Sequence, residues 1–165
     1  FMPEVTICQL NQAAFAPYGD IITLKDTPDM LINQDLCERH HNLASMDFGP
    51  EGVAGISLFN AKPRNLPYSL TMMERHPDGS QAFLPMTQNP FLVIVAPDKQ
   101  GMPGWPLAFR TAPGQGINFH RNIWHGVLTP LFAPGLFAVV DRIGHSKNLE
   151  EYWFDNPFTV LGDVK

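Results

Sequence analysis

The chain is short of charge, of cysteine and of long apolar runs. Charged residues make up 16% of its 165 positions, with 11 basic against 16 acidic side chains and a net charge of −5. That balance offers no basic face to a polyanion, so nucleic-acid binding is not expected. Cys8 and Cys37 are the only cysteines, and no CxxC occurs. Two cysteines make no disulfide framework, which points to a reducing, cytoplasmic compartment. The longest apolar run is FLVIV, residues 91–95, far below the ~20 residues that cross a membrane. No basic segment followed by an apolar one opens the chain, so no secretion signal is expected. Met2 reads as the native start, with Phe1 ahead of it.

What is there is apolar, proline-rich and glycine-rich. The apolar fraction of 44% is ordinary for a folded domain, and the length suits one domain over residues 1–165 with a real core. Sixteen prolines and thirteen glycines favour many short strands joined by tight turns over long helices. One short helix is expected within residues 10–20, capped by Asn11 and ended by Pro17 and Gly19. A second helical turn is expected at NLEEYWF, residues 148–154. Strands are expected from IITL onward: residues 37–46, 53–62, 68–76, QAFLPM, FLVIVAP (buried on both faces), LAFRT, GVLTPL and 136–144. KPRNLP reads as a turn, and DKQGMPGWP, residues 98–106, as a flexible surface excursion. About ten short strands with turn signals between them argue for a closed or nearly closed β-barrel or jelly roll.

Polar chemistry concentrates in GQGINFHRNIWH, residues 114–125, which reads as turn, strand, tight turn and strand. A second concentration lies on residues 68–76. There Tyr68, Leu70, Met72, Glu74 and His76 fall at period two, so a regular strand places them on one face. A carboxylate on an inner face needs a partner, a metal or a ligand. The alternative is a polar core in which Glu74 pairs with a histidine and His120 and His125 are merely hydrogen-bonded.

The spacings resemble a degenerate cupin. Glu74-x-His76-x4-Gln81 keeps the register of H-x-H-x4-E, with Glu for the first His and Gln for the Glu. Gly114-x5-His120-x-Asn122-x2-His125 keeps the register of G-x5-P-x-G-x2-H, with the Pro and second Gly replaced. Glu74, His76, Gln81 and His125 then stand at the metal positions. Two imidazoles and a carboxylate suit a first-row divalent ion, whereas the Gln81 amide oxygen is a weak fourth ligand.

At the scale of the chain, FAPYGD, KPRNLP, ERHPDGSQAFLPM, GQGINFHRNIWH and FAVVDRIG occur in that order across most of residues 13–144. In this they resemble the ureidoglycolate lyases, also called ureidoglycolate hydrolases, of allantoin breakdown. The resemblance implies an all-β, cupin-like jelly-roll barrel with one or two short helices. It also implies a homodimer and a divalent metal, with nickel suggested. The implied reaction splits ureidoglycolate into glyoxylate and urea. Such a cleavage needs a base for the hydroxyl proton, for which His76, His120 and His125 are candidates, with Glu74 beside them. It needs a cation for the carboxylate, for which Arg39, Lys62 and Arg121 are candidates. Asn60, Asn118 or Asn122 could read the ureido group. Two alternatives stand beside the lyase: an amidohydrolase releasing ammonia, and a cupin-like binding protein for a small carboxylate.

Overall fold

The computed structural model describes residues 2–162; Phe1 lies outside them. The strands are β1 (Glu4–Gln9), β2 (Gly19–Ile22), β3 (Met30–Ile32), β4 (Cys37–Arg39), β5 (Val53–Ala61), β6 (Tyr68–Arg75), β7 (Gln81–Pro85) and β8 (Phe91–Ala96). They continue as β9 (Asp98–Lys99), β10 (Met102–Pro103), β11 (Leu107–Arg110), β12 (Gly116–Phe119), β13 (Trp124–His125), β14 (Thr129–Pro130), β15 (Gly135–Ile143) and β16 (Glu150–Leu161). One helix, α1 (Gln12–Phe15), separates β1 from β2. The fold is all-β, a closed barrel of the cupin-like jelly-roll kind.

Closure rests on β8. Its Val95 pairs with Leu107 of β11 on one edge and with His125 of β13 on the other. Strands β8, β11, β1, β16, β6 and β13 therefore form a ring. Because side chains alternate along a strand, β8 feeds two cores. Leu92, Ile94 and Ala96 join Val5, Ile7, Leu70, Met73, Trp124 and Val160 inside the ring. Phe91, Val93 and Val95 join Phe83, Phe109, Ile117, Phe119, Phe137 and Val139 between the ring wall and a five-stranded sheet, β2-β12-β7-β15-β5. Phe15 of α1 is fully buried in this second core, where such a side chain contributes about 1.5–3 kcal/mol. Asn11 caps the helix by accepting a hydrogen bond from the Ala14 N–H (3.0 Å).

Several sequence expectations need correction. The helix is a single turn, and the chain is already in strand by Gly19. Of residues 37–46 only β4 is strand, paired with β3 in a separate hairpin. NLEEYWF is not helical: its last five residues begin β16, with Glu150 opposite Arg75. Tyr152 and Phe154 pack on the ring core while Trp153 stays 64% exposed, which is period two rather than 3.6. The segment 98–106 contains the β9–β10 hairpin. The Asp98 carboxylate ties it down, accepting from the Trp124 indole N–H (3.0 Å) and from Arg75 (2.9 Å).

The most consequential correction concerns β6. Tyr68, Leu70 and Met73 all enter the ring core, so period two breaks between Leu70 and Met73. The break lies opposite the place where β16 slips register, between Trp153 (facing Met72) and Phe158 (facing Leu70). A bulge of this kind re-aims the side chains that follow it. Glu74 therefore does not share a face with Tyr68 and Leu70; it emerges on the outer wall of the ring, beneath the five-stranded sheet.

Candidate active site

Strand β13 is two residues long, held by Trp124 opposite Ala96 and His125 opposite Val95 on one side and Glu74 on the other. Directly opposed residues share a face, so His125 and Glu74 both leave the ring wall toward Phe119. His76 follows two residues after Glu74. Glu74, His76 and His125 each offer a ligand atom, all within 4.8 Å of one another.

The two imidazoles are fixed in the same tautomer. His125 Nδ1 lies 2.9 Å from the Gly126 carbonyl oxygen, and His76 Nδ1 lies 2.8 Å from that of Asn148. A carbonyl only accepts, so each Nδ1 carries the proton and each Nε2 keeps its lone pair. Both Nε2 atoms are buried without a hydrogen-bond partner. The Phe119 ring stacks on His125, 4.2 Å between centroids and 4° from parallel. Burial, reinforced by neighbouring His76, lowers the His125 pKa to about 3. Burial raises that of Glu74, with Glu151 adding to the rise and His76 opposing it. Unpaired buried polar atoms are costly, and these two Nε2 atoms with the Glu74 carboxylate form a donor set that fits a divalent cation.

Gln81 begins β7 opposite Phe119 and is buried. Its Nε2 donates to Asp141 Oδ2 (3.0 Å). A carboxylate can only accept, so the amide orientation is decided and Oε1 is left buried without a partner. Asp141 thus serves Gln81.

His120 is placed elsewhere. Asn118 and Asp20 are register partners on the face of β12 opposite to that of Phe119. His120 Nε2 lies 3.0 Å from Asp20 Oδ2, which also accepts from the Ser45 N–H (2.8 Å) and from Asn118 Nδ2 (3.1 Å). Burial of Asp20 pushes its pKa up, but these three donors outweigh burial and the net shift is downward. His120 and Arg121 line a cavity of about 450 Å³ with Ser45, Met46 and Asp47. Arg121 Nε donates to the Pro77 carbonyl, while its Nη1 and Nη2 each lie 3.9 Å from a carboxylate, Asp47 and Asp78. That separation is too long for hydrogen bonds.

The other expected binding residues do not gather here. Arg39 is exposed at the end of β4, opposite Met30. Asn60 is exposed on β5 opposite Leu136, five positions along from Gly55, the partner of Asp141. At ~3.4 Å per residue that is roughly 17 Å of strand. Lys62 is exposed in the turn beyond it. Asn122 is exposed at the β12–β13 turn with φ 63°. Reading the sequence missed Asp20, Phe119 and Asn148. Asp20 lies 100 positions from His120, and no local pattern signals such a pairing.

A jelly-roll barrel with two imidazoles and a carboxylate between its layers defines a class: a cupin-like barrel with a candidate metal site. Sequence comparison narrows this. The ureidoglycolate lyase family model matches residues 2–161. A ureidoglycolate lyase of Rhodobacter capsulatus is 56% identical over 161 residues, covering 98% of this chain and 100% of that protein. Ureidoglycolate lyase 2 of Rhizobium meliloti is 49% identical, covering 96% and 98%. A ureidoglycolate lyase of Chelativorans sp. is 48% identical, covering 96% and 97%. The chain belongs to the ureidoglycolate lyase family.

Proposed function

We propose that this protein is an enzyme that cleaves ureidoglycolate to glyoxylate and urea, a carbon–nitrogen lyase of allantoin breakdown. The observation that carries the reading, beside family membership, is the trio Glu74, His76 and His125, whose two Nε2 atoms are buried without partners. A hydrogen-bonded polar core would not leave those atoms without partners. The trio would hold a divalent ion, nickel among the candidates, with Gln81 Oε1 as a further oxygen donor. Such an ion would supply, when bound, a fixed positive charge at the trio.

The remaining work belongs to the chain. Carbonyls of Gly126 and Asn148 hold both imidazoles in one tautomer. The Phe119 ring and the Phe-rich core behind it exclude water from one side of His125. Arg121, with both Nη groups beyond hydrogen-bond reach of their nearest carboxylates, is the cavity's candidate for the substrate carboxylate. Of the four binding candidates it is the one that lines a cavity with a candidate base. Homodimer formation and a cytoplasmic location belong to the same proposal. The second is supported by two free cysteines, and no helix among the described residues is long and apolar enough to cross a membrane.

The test is an assay of purified protein on ureidoglycolate, scoring glyoxylate, urea and ammonia separately. It is repeated after chelation and after adding back individual divalent ions, with metal analysis of the protein as purified. Urea and glyoxylate in equal amounts are expected. Ammonia in place of urea would make the protein a hydrolase, and tight glyoxylate binding with no product would make it a binding protein.

A further inference from the structure

We propose that Asp20 and His120 form a carboxylate–imidazole pair that performs proton transfer in the cavity beside Arg121, with His120 the catalytic residue and Asp20 its positioning residue. This rests on the lyase reading above and deepens it by assigning the base.

Asp20 Oδ2 takes the Ser45 N–H, an Asn118 Nδ2–H and contacts His120 Nε2. A carboxylate satisfied by that many donors stays ionised, and the histidine atom facing it must carry the hydrogen. In the neutral ring Nδ1 of His120 is then the lone-pair nitrogen, and it makes no hydrogen bond to the described residues. The frame is rigid without the histidine. Asn118 is fully buried, and its Nδ2 bonds both Asp20 Oδ2 and the Ser45 carbonyl (3.0 Å). Asp20 is thus held by two groups other than His120. The His120 side chain, by contrast, is 37% exposed and lines the cavity. A purely structural pair would bury its ring; this one offers it to a ligand. A carboxylate that fixes tautomer and orientation while the other nitrogen faces the reactant is the arrangement of a general base.

The neighbouring residue completes the demand. The hydroxyl and carboxylate of ureidoglycolate sit on adjacent carbons, and His120 and Arg121 are adjacent on one cavity wall. With the carboxylate on Arg121, His120 Nδ1 removes the hydroxyl proton. The carbinol C–O becomes the C=O of glyoxylate, the C–N bond breaks, and its electron pair leaves with the urea nitrogen. The proton on Nδ1 passes to that nitrogen and yields urea. The proton count closes without a co-reactant, and His120 ends as it began.

Three variants of the full-length protein test this: His120→Ala, Asp20→Asn and, as a reference, His125→Ala. Each is checked for folding by circular dichroism and for divalent-ion content. His120→Ala is expected to keep its fold and its ion binding and to lose about 10²–10⁴-fold in kcat, with part of the activity restored by imidazole in the buffer. Asp20→Asn is expected to lower kcat at least about tenfold with little change in KM, because the ring loses its fixed tautomer. The ¹⁵N shifts of His120 should report a proton on Nε2 in the wild type and a mixture in Asp20→Asn. A folded His120→Ala with kcat within about threefold of wild type would overturn the assignment. So would failure of imidazole rescue, or loss of ion binding in His120→Ala, which would join His120 to the trio. If the wild type makes no glyoxylate, the lyase reading falls and the pair's role falls with it; if it does and His120→Ala matches it, only the pair falls.

Discussion

His125 shows how much one residue's surroundings decide. It is 1% exposed, with Phe119 stacked on one side and a proton held on Nδ1 by a carbonyl. Burial and nearby His76 hold its pKa at about 3 in the folded chain, against ~6.5 when unfolded. Between those values the unfolded chain binds a proton that the folded chain does not. Stability of the metal-free protein should therefore fall as pH drops from ~6.5 toward 3, by up to about 1.4 kcal/mol per unit from this residue. Glu74 acts in the opposite sense. Its raised pKa, caused first by burial, stabilises the folded form at low pH and is lost as pH rises through the folded value. The His125 contribution is isolated by comparing urea unfolding of chelator-treated wild type and His125→Gln across this range. The wild type should lose stability more steeply in acid, and parallel curves would mean that His125 titrates normally.

Between strands, the closest approach decides what can move. Gly19 of β2 lies against β12 so tightly that an added Cβ would sit 1.9 Å from the Asn118 carbonyl oxygen. Gly19→Ala must push β2 away from β12, and Asp20 moves with it. We expect a cost of about 1–3 kcal/mol in thermal unfolding, together with lower kcat than wild type. An unchanged melting temperature would show that the two strands slide apart freely. At this scale the sequence was partly legible. The turn–strand–turn–strand reading of residues 114–125, the Asn11 cap and the doubly buried β8 follow from local chemistry, and all three are present. The cupin-like spacing groups Glu74, His76 and His125, and the fold places their ligand atoms within 4.8 Å of one another. The face of Glu74 was not legible, because it depends on a bulge in β16, a strand some eighty positions away in sequence. The split between His125, at a ligand position, and His120, at a replaced proline, was legible in the spacing; its cause, Phe119 and Asn118 pointing to opposite sides of one short strand, was not. The strand at residues 150–154 was hidden because a cluster of Leu, Glu and Tyr also suits a helix; pairing with β6 overrides that propensity.

At the scale of the molecule, one long strand has no partner on its outer side among the described residues. β5 runs nine residues along the edge of the five-stranded sheet. Its outward residues Ile56 and Leu58 are 78% and 65% exposed, and Val53 at its start is 62% exposed. Ile56 and Leu58 adjoin Val140 and Ala138 of β15, their register partners, so these four residues form one apolar face. A free apolar edge of this length invites another strand or sheet, and monomeric proteins usually blunt such edges with charge or proline. Here no charged residue or proline lies within Val53–Ala61. A second copy meeting this face about a two-fold axis would present the same residues in return, since a two-fold interface is self-complementary. Charge placed at the centre of the patch should break that contact and leave the interior untouched, because Ile56 and Leu58 point away from both cores. Ile56→Lys with Leu58→Lys is therefore expected to convert a dimer to a monomer in light scattering behind size exclusion, with the circular dichroism spectrum preserved. A wild type that elutes as a monomer, or a double variant that remains dimeric, would remove β5 as the contact.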